Sequence, residues 1–178
     1  MRKPPAEIVA STLAVTTLFI PHHLPPWAIF IGWAGTFAAG GPKPEVLRRI
    51  WPTMALGSCV ACMIVLGFQF AALHLTGAAL VVAQCAILFC LNGSMMALGR
   101  FEPLSFIPGM FFGFASYFAT YFGGFGPVPK DPFVALASVL AMNALGPVYA
   151  WLTAKLGAHH HHPVVEEAPA ARPGPLTS

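Results

Sequence analysis

Six apolar blocks follow one another along the chain, and the short segments between them hold most of its charged residues. A helix that crosses a bilayer needs about 20 mainly apolar residues, and the blocks lie near or above that length, the second being marginal. The pattern therefore predicts an all-α membrane protein with six transmembrane helices. The predicted spans are Ala6–Ile20, Leu24–Ala39, Ile50–Leu75, Ala78–Leu98, Leu104–Phe122 and Phe133–Leu156.

A nine-residue phrase occurs twice, at the same place in the two halves of this pattern. Phe30–Ala38 returns 81 positions later as Phe111–Ala119, with five of the nine residues identical. A pair of glycines follows each copy, Gly40-Gly41 after the first and Gly123-Gly124 after the second. Duplicated halves are common in transport proteins, where the substrate site lies at the interface of the copies.

A second echo supports the duplication, because Pro52–Ser58 is similar to Pro132–Ser138. Each half then holds three predicted helices, an odd number, so the second half enters the membrane upside down relative to the first. This is the topology of an inverted repeat. We expect one polytopic domain over residues 1–157, with repeats at about 6–75 and 78–157, and a disordered cytoplasmic tail over 158–178.

Composition and charge agree with a membrane location. Of the 178 residues, 57% are hydrophobic and 8% are charged, with a mean hydropathy of +0.72. Soluble domains carry about 25% charged residues. With six spans and a cytoplasmic N-terminus, eight of the nine Lys and Arg residues lie on the cytoplasmic side, and Lys130 is the exception. The positive-inside rule therefore predicts that both termini are cytoplasmic. The net charge of +3 is too small and dispersed to indicate nucleic acid.

No Asp, Glu, Lys or Arg lies in the middle of a predicted span. Proton relays and ion-coupled transporters keep ionisable residues at membrane depth, so this absence argues against strongly charged substrates. The chain also has no nucleophile–base pair, phosphate loop or dinucleotide fingerprint. We therefore expect neither an enzyme nor a bound cofactor.

The polar and aromatic residues of the repeated phrase are the candidate lining of a solute path. Serine and threonine in membrane helices usually bond to a carbonyl of their own helix, which is the alternative reading here. The Gln and Asn residues of other spans either join helices by hydrogen bonds or line a wet path. The lining candidates are Trp33, Thr36, Ser116, Tyr117 and Thr120, with Phe37 and Phe118 as apolar constrictions that gate by dewetting.

Small residues in the same phrase indicate close helix packing. Gly32 and Gly35 lie in the first copy, and Gly109 and Gly113 form a GxxxG element at the second. Prolines bound the second and fifth predicted helices, with Pro108 inside the fifth, and paired interrupted segments point to a binding site.

The cysteines and the histidine tract are weaker signals. The four cysteines lie inside apolar spans and read as small buried hydrophobic residues, so no metal site is expected. The tract His159–His162 either binds a metal or is part of a solvated tail.

The stretch Leu104–Gly113, continuing through Ala115–Ala119, resembles the bacterial inner-membrane proteins of the YcdZ type, a family of unknown function. The earlier block Trp27–Gly41 is similar to their first half, and the resemblance covers roughly residues 6–157. It implies the bacterial inner membrane and a small polytopic architecture. It implies no substrate and no catalytic residue.

These observations favour a channel or facilitator for a small neutral or weakly polar solute, whose path runs along the second and fifth helices. The expected partners are the lipid bilayer, the small-molecule solute and further copies of the chain in a homo-oligomer. One alternative is a non-transporting membrane scaffold or accessory subunit of a larger complex. Another is a secondary transporter that holds its coupling ion on carbonyls at broken helices.

Overall fold

The computed structural model describes residues 3–158, and this part of the chain contains helices and loops but no strand. The all-α prediction is confirmed. The predicted tail, with the tract His159–His162, lies outside the described residues. The helices are α1 Ala6–Thr16, α2 Pro26–Ala38, α3 Pro44–His74, α4 Gly77–Leu98, α5 Ile107–Gly123 and α6 Pro132–Leu156, with single 3-10 turns at Thr17–Phe19 and Glu102–Leu104.

Three of these helices are long and apolar enough to cross a membrane. They are α3 with 31 residues, α4 with 22 and α6 with 25. The other helices are shorter: α2 has 13 residues and α5 has 17, or about 20 Å and 26 Å at 1.5 Å per residue. Since a hydrocarbon core is about 30 Å thick, α2 and α5 are too short to cross it by their helical length alone. Six complete spans stay a prediction.

Proline and an acidic cap explain where the helices begin. Proline suits the first helical turn, where its missing N–H costs nothing. The Asp131 carboxylate caps α6 by accepting hydrogen bonds from the backbone N–H groups of Phe133 and Val134, each at 2.9 Å. Gly124, with a φ of +72°, ends α5 in the left-handed conformation. The prolines in first turns are Pro26, Pro44, Pro108 and Pro132.

The interior prolines lie in helices that the sequence analysis did not single out. Pro108 is in the first turn of α5 and does not interrupt it. Pro52 lies inside α3 and Pro147 lies inside α6. The second sequence echo also fails to match equivalent helix positions, because Pro132 is the first residue of α6 whereas Pro52 lies two turns into α3.

The core is formed by two crossed helix pairs, α2 with α6 and α3 with α5. The long helices α3 and α6 also contact each other, and so do α2 and α5. The two remaining helices are peripheral, since α4 packs on α3 and α1 packs on α6. Along the whole of α4 only Met95 is buried, so most of that helix faces outward.

Glycine brings the backbones together at both crossings. A Cβ atom added at Gly32 of α2 would lie 2.8 Å from the Asn143 carbonyl oxygen of α6, and one at Gly146 would lie 2.5 Å from the Gly32 backbone. In the other pair, a Cβ at Gly113 of α5 would collide with the Met54 carbonyl of α3. Gly32 and Gly113 are the third residues of the two repeated phrases, so each copy supplies a glycine that lies against the backbone of a neighbouring helix.

The two ends of the described chain lie side by side. The Lys3 Nζ atom donates to the Lys155 carbonyl at 2.9 Å, and the Ala158 N–H donates to the Pro4 carbonyl at 2.7 Å. The start of α1 and the end of α6 are therefore at one end of the bundle.

Most basic residues collect at that same end. Leu47 near the start of α3 lines one hollow with Trp151 near the end of α6. Arg49 pairs with Glu102, just after α4, at 3.8 Å. Lys130 lies at the opposite end, beside the start of α6. The described basic residues at the shared end are Lys3, Lys43, Arg48, Arg49, Arg100 and Lys155.

Replacing Gly113 by alanine is expected to destabilise the protein by about 1–3 kcal/mol, since the new methyl group has no room against the α3 backbone. Gly93→Ala is the matched control, because Gly93 lies inside α4 and a Cβ there meets nothing within 4 Å. That change should be neutral or stabilising by up to about 1 kcal/mol. Thermal unfolding in detergent, followed by circular dichroism, measures both. Equal midpoints for the two variants would contradict the crossing described here.

Candidate functional site

The regular hydrogen bonding of α6 is broken at its middle. Pro147 has no N–H, so the carbonyl of Asn143, four residues earlier, loses its usual helical donor. Asn143 is residue 12 of the 25 in this helix, about 18 Å from either end at 1.5 Å per residue. If α6 crosses a bilayer, the break lies close to the midplane.

Two other helices contact the carbonyls at this break. Gly32 of α2 lies directly against the Asn143 carbonyl oxygen. The Trp51 side chain of α3 donates its indole N–H to the next carbonyl, that of Ala144, at 3.2 Å. A polar interruption in α6 is therefore surrounded by α2 and α3.

A third helix reaches the same place through a side chain. The Ser116 hydroxyl of α5 donates to the Asn143 side-chain oxygen at 3.1 Å, and both residues are buried. The other end of the Asn143 amide, Nδ2, is buried without a hydrogen-bond partner. Leaving such a donor unpaired costs about 1–3 kcal/mol, a cost that a bound water or a ligand would remove. We call Gly32, Ser116, Asn143 and Pro147 the Asn143 centre.

The predicted lining residues around this centre are closed off from solvent. Thr36, Ser116, Tyr117 and Thr120 each have 0% exposure, and Trp33 is also buried. The Thr36 hydroxyl donates to the carbonyl four residues earlier at 2.7 Å, and the Thr120 hydroxyl does the same at 2.8 Å. In this conformation the hydroxyls of Thr36 and Thr120 are satisfied within their own helices. None of the five lining candidates faces open water.

Among the aromatic candidates, Tyr117 and Phe118 are neighbours with 6.2 Å between ring centroids, whereas Phe37 lies on another helix. Tyr117 donates its hydroxyl to the Pro132 carbonyl at the start of α6, at 3.1 Å. Phe118 packs edge-on against Phe114 of the same helix, with 4.6 Å between ring centroids. Phe37 is 44% exposed at the end of α2. The structure does not place Phe37 and Phe118 in one apolar cluster, so their role as a constriction stays a prediction.

The glycine candidates all lie at helix contacts. Gly35 faces the ring of Phe112, where an added Cβ would be 2.7 Å from the nearest ring carbon. Gly109 faces the Thr53 side chain of α3. Gly32 and Gly113 make the two backbone crossings.

Asn143 is one of the Gln and Asn residues that the sequence analysis expected either to join helices or to line a wet path, and its bond with Ser116 joins α5 to α6. Pro147 was not singled out, although a signal for the pair was present. Asparagine is costly inside an apolar helix, and a proline four residues later removes the donor for that asparagine's carbonyl. The spacing Asn-x-x-x-Pro thus marks a residue at which both the side-chain amide and the backbone carbonyl need a partner from elsewhere. The sequence does not tell which helix supplies its partner, because Ser116 is 27 residues away.

An all-helical chain with three helices fit to cross a bilayer, and with its basic residues gathered at the ends of those helices, is a membrane protein. The chain belongs to the family described as Protein of unknown function (DUF1097), whose model matches residues 6–158. Comparison with curated proteins and with solved structures found no match.

Replacing both partners together, Asn143→Leu with Ser116→Ala, is expected to raise the free energy of unfolding by about 1–2 kcal/mol, because a buried unpaired amide and the hydroxyl bonded to it give way to apolar groups. Functional residues often reduce stability in this way. Ser138→Ala serves as the control, since the Ser138 hydroxyl is satisfied by the Val134 carbonyl at 2.8 Å. Unfolding midpoints in detergent compare the two. A destabilised double variant would show that the Ser116–Asn143 pair supports the fold.

Proposed function

We propose that this membrane protein is a channel or facilitator for a small neutral or weakly polar solute. The observation that carries the proposal is the unpaired Nδ2 of Asn143, buried at the middle of α6 where α2, α3 and α5 converge. A partly polar centre at mid-depth is what a neutral solute needs to exchange some of its water hydrogen bonds for protein ones. The hydroxyl of Ser116 and the amide of Asn143 offer both donors and acceptors.

The chemistry of the buried groups supports a neutral solute. In the described part of the chain, the buried polar side chains are hydroxyls and one amide, and none is ionisable at neutral pH. An ion at this depth would need a counter-charge or several oriented carbonyls. A small amide, alcohol or similar molecule needs only one or two hydrogen bonds. Strict dependence of uptake on a proton or sodium gradient would favour the secondary transporter instead.

Six spans with an inverted repeat form part of the proposal, and the packing supports them. A twofold relation between halves pairs α2 with α5 and α3 with α6, and it then makes the α2–α6 contact equivalent to the α3–α5 contact. Those are the two glycine crossings. The start of α3 lies beside the end of α6, as opposite orientations require. An even number of crossings also brings Lys3 and Lys155 to one side.

The basic end of the bundle is, in this proposal, the cytoplasmic face of a bacterial inner membrane, with both termini inside. The inner-membrane location is the one that the resemblance to YcdZ-type proteins implies. Lys130 is then on the outer side, together with His23, whose carbonyl accepts from the Gly126 N–H at 2.6 Å.

Solute passage requires the bundle to open. The Asn143 centre is packed shut by Gly32, which touches the carbonyl that Pro147 leaves without its regular donor. A helix bends most easily where such a bond is missing. We propose that α6 bends at Pro147, moving Asn143 away from α2 and admitting the solute.

Flux through proteoliposomes tests the function. Protein-containing vesicles should swell faster than empty ones in a gradient of at least one small neutral solute, measured by stopped-flow light scattering across a panel of amides, polyols and alcohols. Ser116→Leu should reduce the protein-dependent rate at least about tenfold, since one lost donor in a dry site removes more than 1.4 kcal/mol. Ser94→Leu is the control, because Ser94 lies on the open side of α4 and bonds to the Cys90 carbonyl at 2.7 Å. If no solute of the panel moves faster than through empty vesicles, the facilitator proposal fails.

The outward face of α4 favours a second candidate, a scaffold or accessory subunit. This helix buries only Met95, and its exposed surface includes Phe89 at 80% exposure. Small residues on such a face allow close contact with another membrane helix. The same face would serve the homo-oligomer that we propose for the channel.

Native cysteines provide the test of self-association. The expectation that all four cysteines are buried is wrong, because Cys85 and Cys90 are exposed on α4 whereas Cys62 is buried in α3. Oxidation with copper phenanthroline in native membranes should yield a disulfide-linked dimer on non-reducing gels. Replacing Cys85 and Cys90 together by serine should abolish it, and Cys62→Ser should not. Absence of the dimer, with another membrane protein captured by α4, would favour the accessory subunit.

A further inference from the structure

A cleft runs along the outside of the bundle between α3 and α6. It consists of two hollows of about 300 Å³ and 240 Å³ that share Trp51 as a wall. Pockets for small molecules typically hold about 300–1,000 Å³, so the larger hollow alone reaches the lower limit and the two together lie within that range. The larger hollow is lined by Trp51, Met54, Ala55, Leu140, Asn143 and Ala144, and the smaller by Leu47, Trp51, Pro147, Val148 and Trp151.

Two indole rings dominate the apolar walls. Trp51 is 41% exposed and Trp151 is 43% exposed. The N–H of Trp51 is already used by the Ala144 carbonyl, which also fixes the ring in place. Flat apolar molecules stack on indole rings of this kind, and Trp51 is the freer of the two, because the Lys155 ammonium lies over the Trp151 ring, 4.4 Å from its centroid.

The Asn143 amide in this lining is buried with one donor left over, since its oxygen already accepts from Ser116. Only 2% of the residue is exposed, and its Nδ2 atom has no acceptor. A molecule that satisfies it needs a hydrogen-bond acceptor and can otherwise be apolar. The Nδ2 atom is itself covered, so binding includes a rotation of the amide toward the cleft.

The depth of Asn143 excludes phospholipid as the natural occupant. Ester carbonyls of phospholipids lie at the interface, about 15 Å from the centre of a 30 Å hydrocarbon core. Asn143 lies at the middle of α6. An acceptor that reaches it must belong to a molecule dissolved in the bilayer core.

We propose that the α3–α6 cleft binds a neutral, planar carbonyl compound of the quinone kind, taken from the bilayer core. Its ring packs against Trp51 in the larger hollow, and its carbonyl oxygen accepts from Asn143 Nδ2. The proposal uses the same Asn143 amide as the proposed solute path, but it concerns binding from the membrane and not transfer across it.

Tryptophan fluorescence tests this binding, since the chain has four tryptophans and two of them line the cleft. A full-length variant with Trp27→Phe and Trp33→Phe keeps only the cleft pair. In nanodiscs, decylubiquinone should quench this pair in a saturable manner. The reverse variant, with Trp51→Phe and Trp151→Phe, should show only weak, linear quenching. Asn143→Leu should raise the apparent Kd about fivefold or more, as expected for one lost hydrogen bond.

The matched control is Asn92→Leu on α4, another asparagine with an unpaired buried oxygen, which should leave the Kd unchanged. Linear quenching that is equal for both tryptophan pairs would overturn the proposal, as would an unchanged Kd for Asn143→Leu. Brominated phosphatidylcholine that quenches the cleft pair and is not displaced by the quinone would identify phospholipid as the occupant and also overturn it.

A second measurement avoids the tryptophan substitutions. Equilibrium dialysis of decylubiquinone against the wild-type protein should show binding that Ala55→Phe, which fills the cleft, removes. Val82→Phe on the open side of α4 should retain it. Binding that persists in Ala55→Phe would place the quinone elsewhere and refute the proposal.

Discussion

Close backbone contact at glycine is the constraint on which the rest of this structure depends. Within a bilayer there is no hydrophobic force between helices, so their association rests on packing and on interhelical hydrogen bonds. Gly32 against α6 and Gly113 against α3 supply that packing at two crossings of similar construction. The Ser58 hydroxyl reinforces the second crossing by donating to the Gly113 carbonyl at 3.0 Å. The peripheral helices α1 and α4 pack on the pairs that these crossings hold together.

The crossings also explain why the polar centre lies where it does. Bringing α2 so close to α6 places Gly32 on the one carbonyl that Pro147 has deprived of its regular donor. Ser116 then meets the side chain of the same asparagine. Most other buried hydroxyls are satisfied inside their own helices, as those of Thr36 and Thr120 are. The Asn143 amide is the exception, and the site proposals rest on it.

One asparagine thus faces two environments. On the inside it meets Ser116 and the α2 backbone, where a neutral solute would need a partner for its own polar groups. On the outside it lines the cleft between α3 and α6, which opens toward the bilayer. If both proposals hold, a molecule in the cleft would accept the hydrogen bond of the Asn143 amide, which the solute path also requires. The amount of that molecule in the membrane would then influence solute flux, because both molecules would use the same hydrogen-bond donor.

The sequence by itself determined the helical class, the approximate extent of the apolar helices and the segregation of basic residues, because hydrophobicity and charge act locally along the chain. The repeated phrase also marked Gly32 and Gly113, since a close crossing demands glycine wherever it occurs. Only the tertiary structure decided that α2 and α5 are short, that Pro52 and Pro147 are the interior prolines, and that Asn143 meets Ser116. Those outcomes depend on which helices become neighbours, and the partners lie too far apart in the chain for any local pattern to specify them.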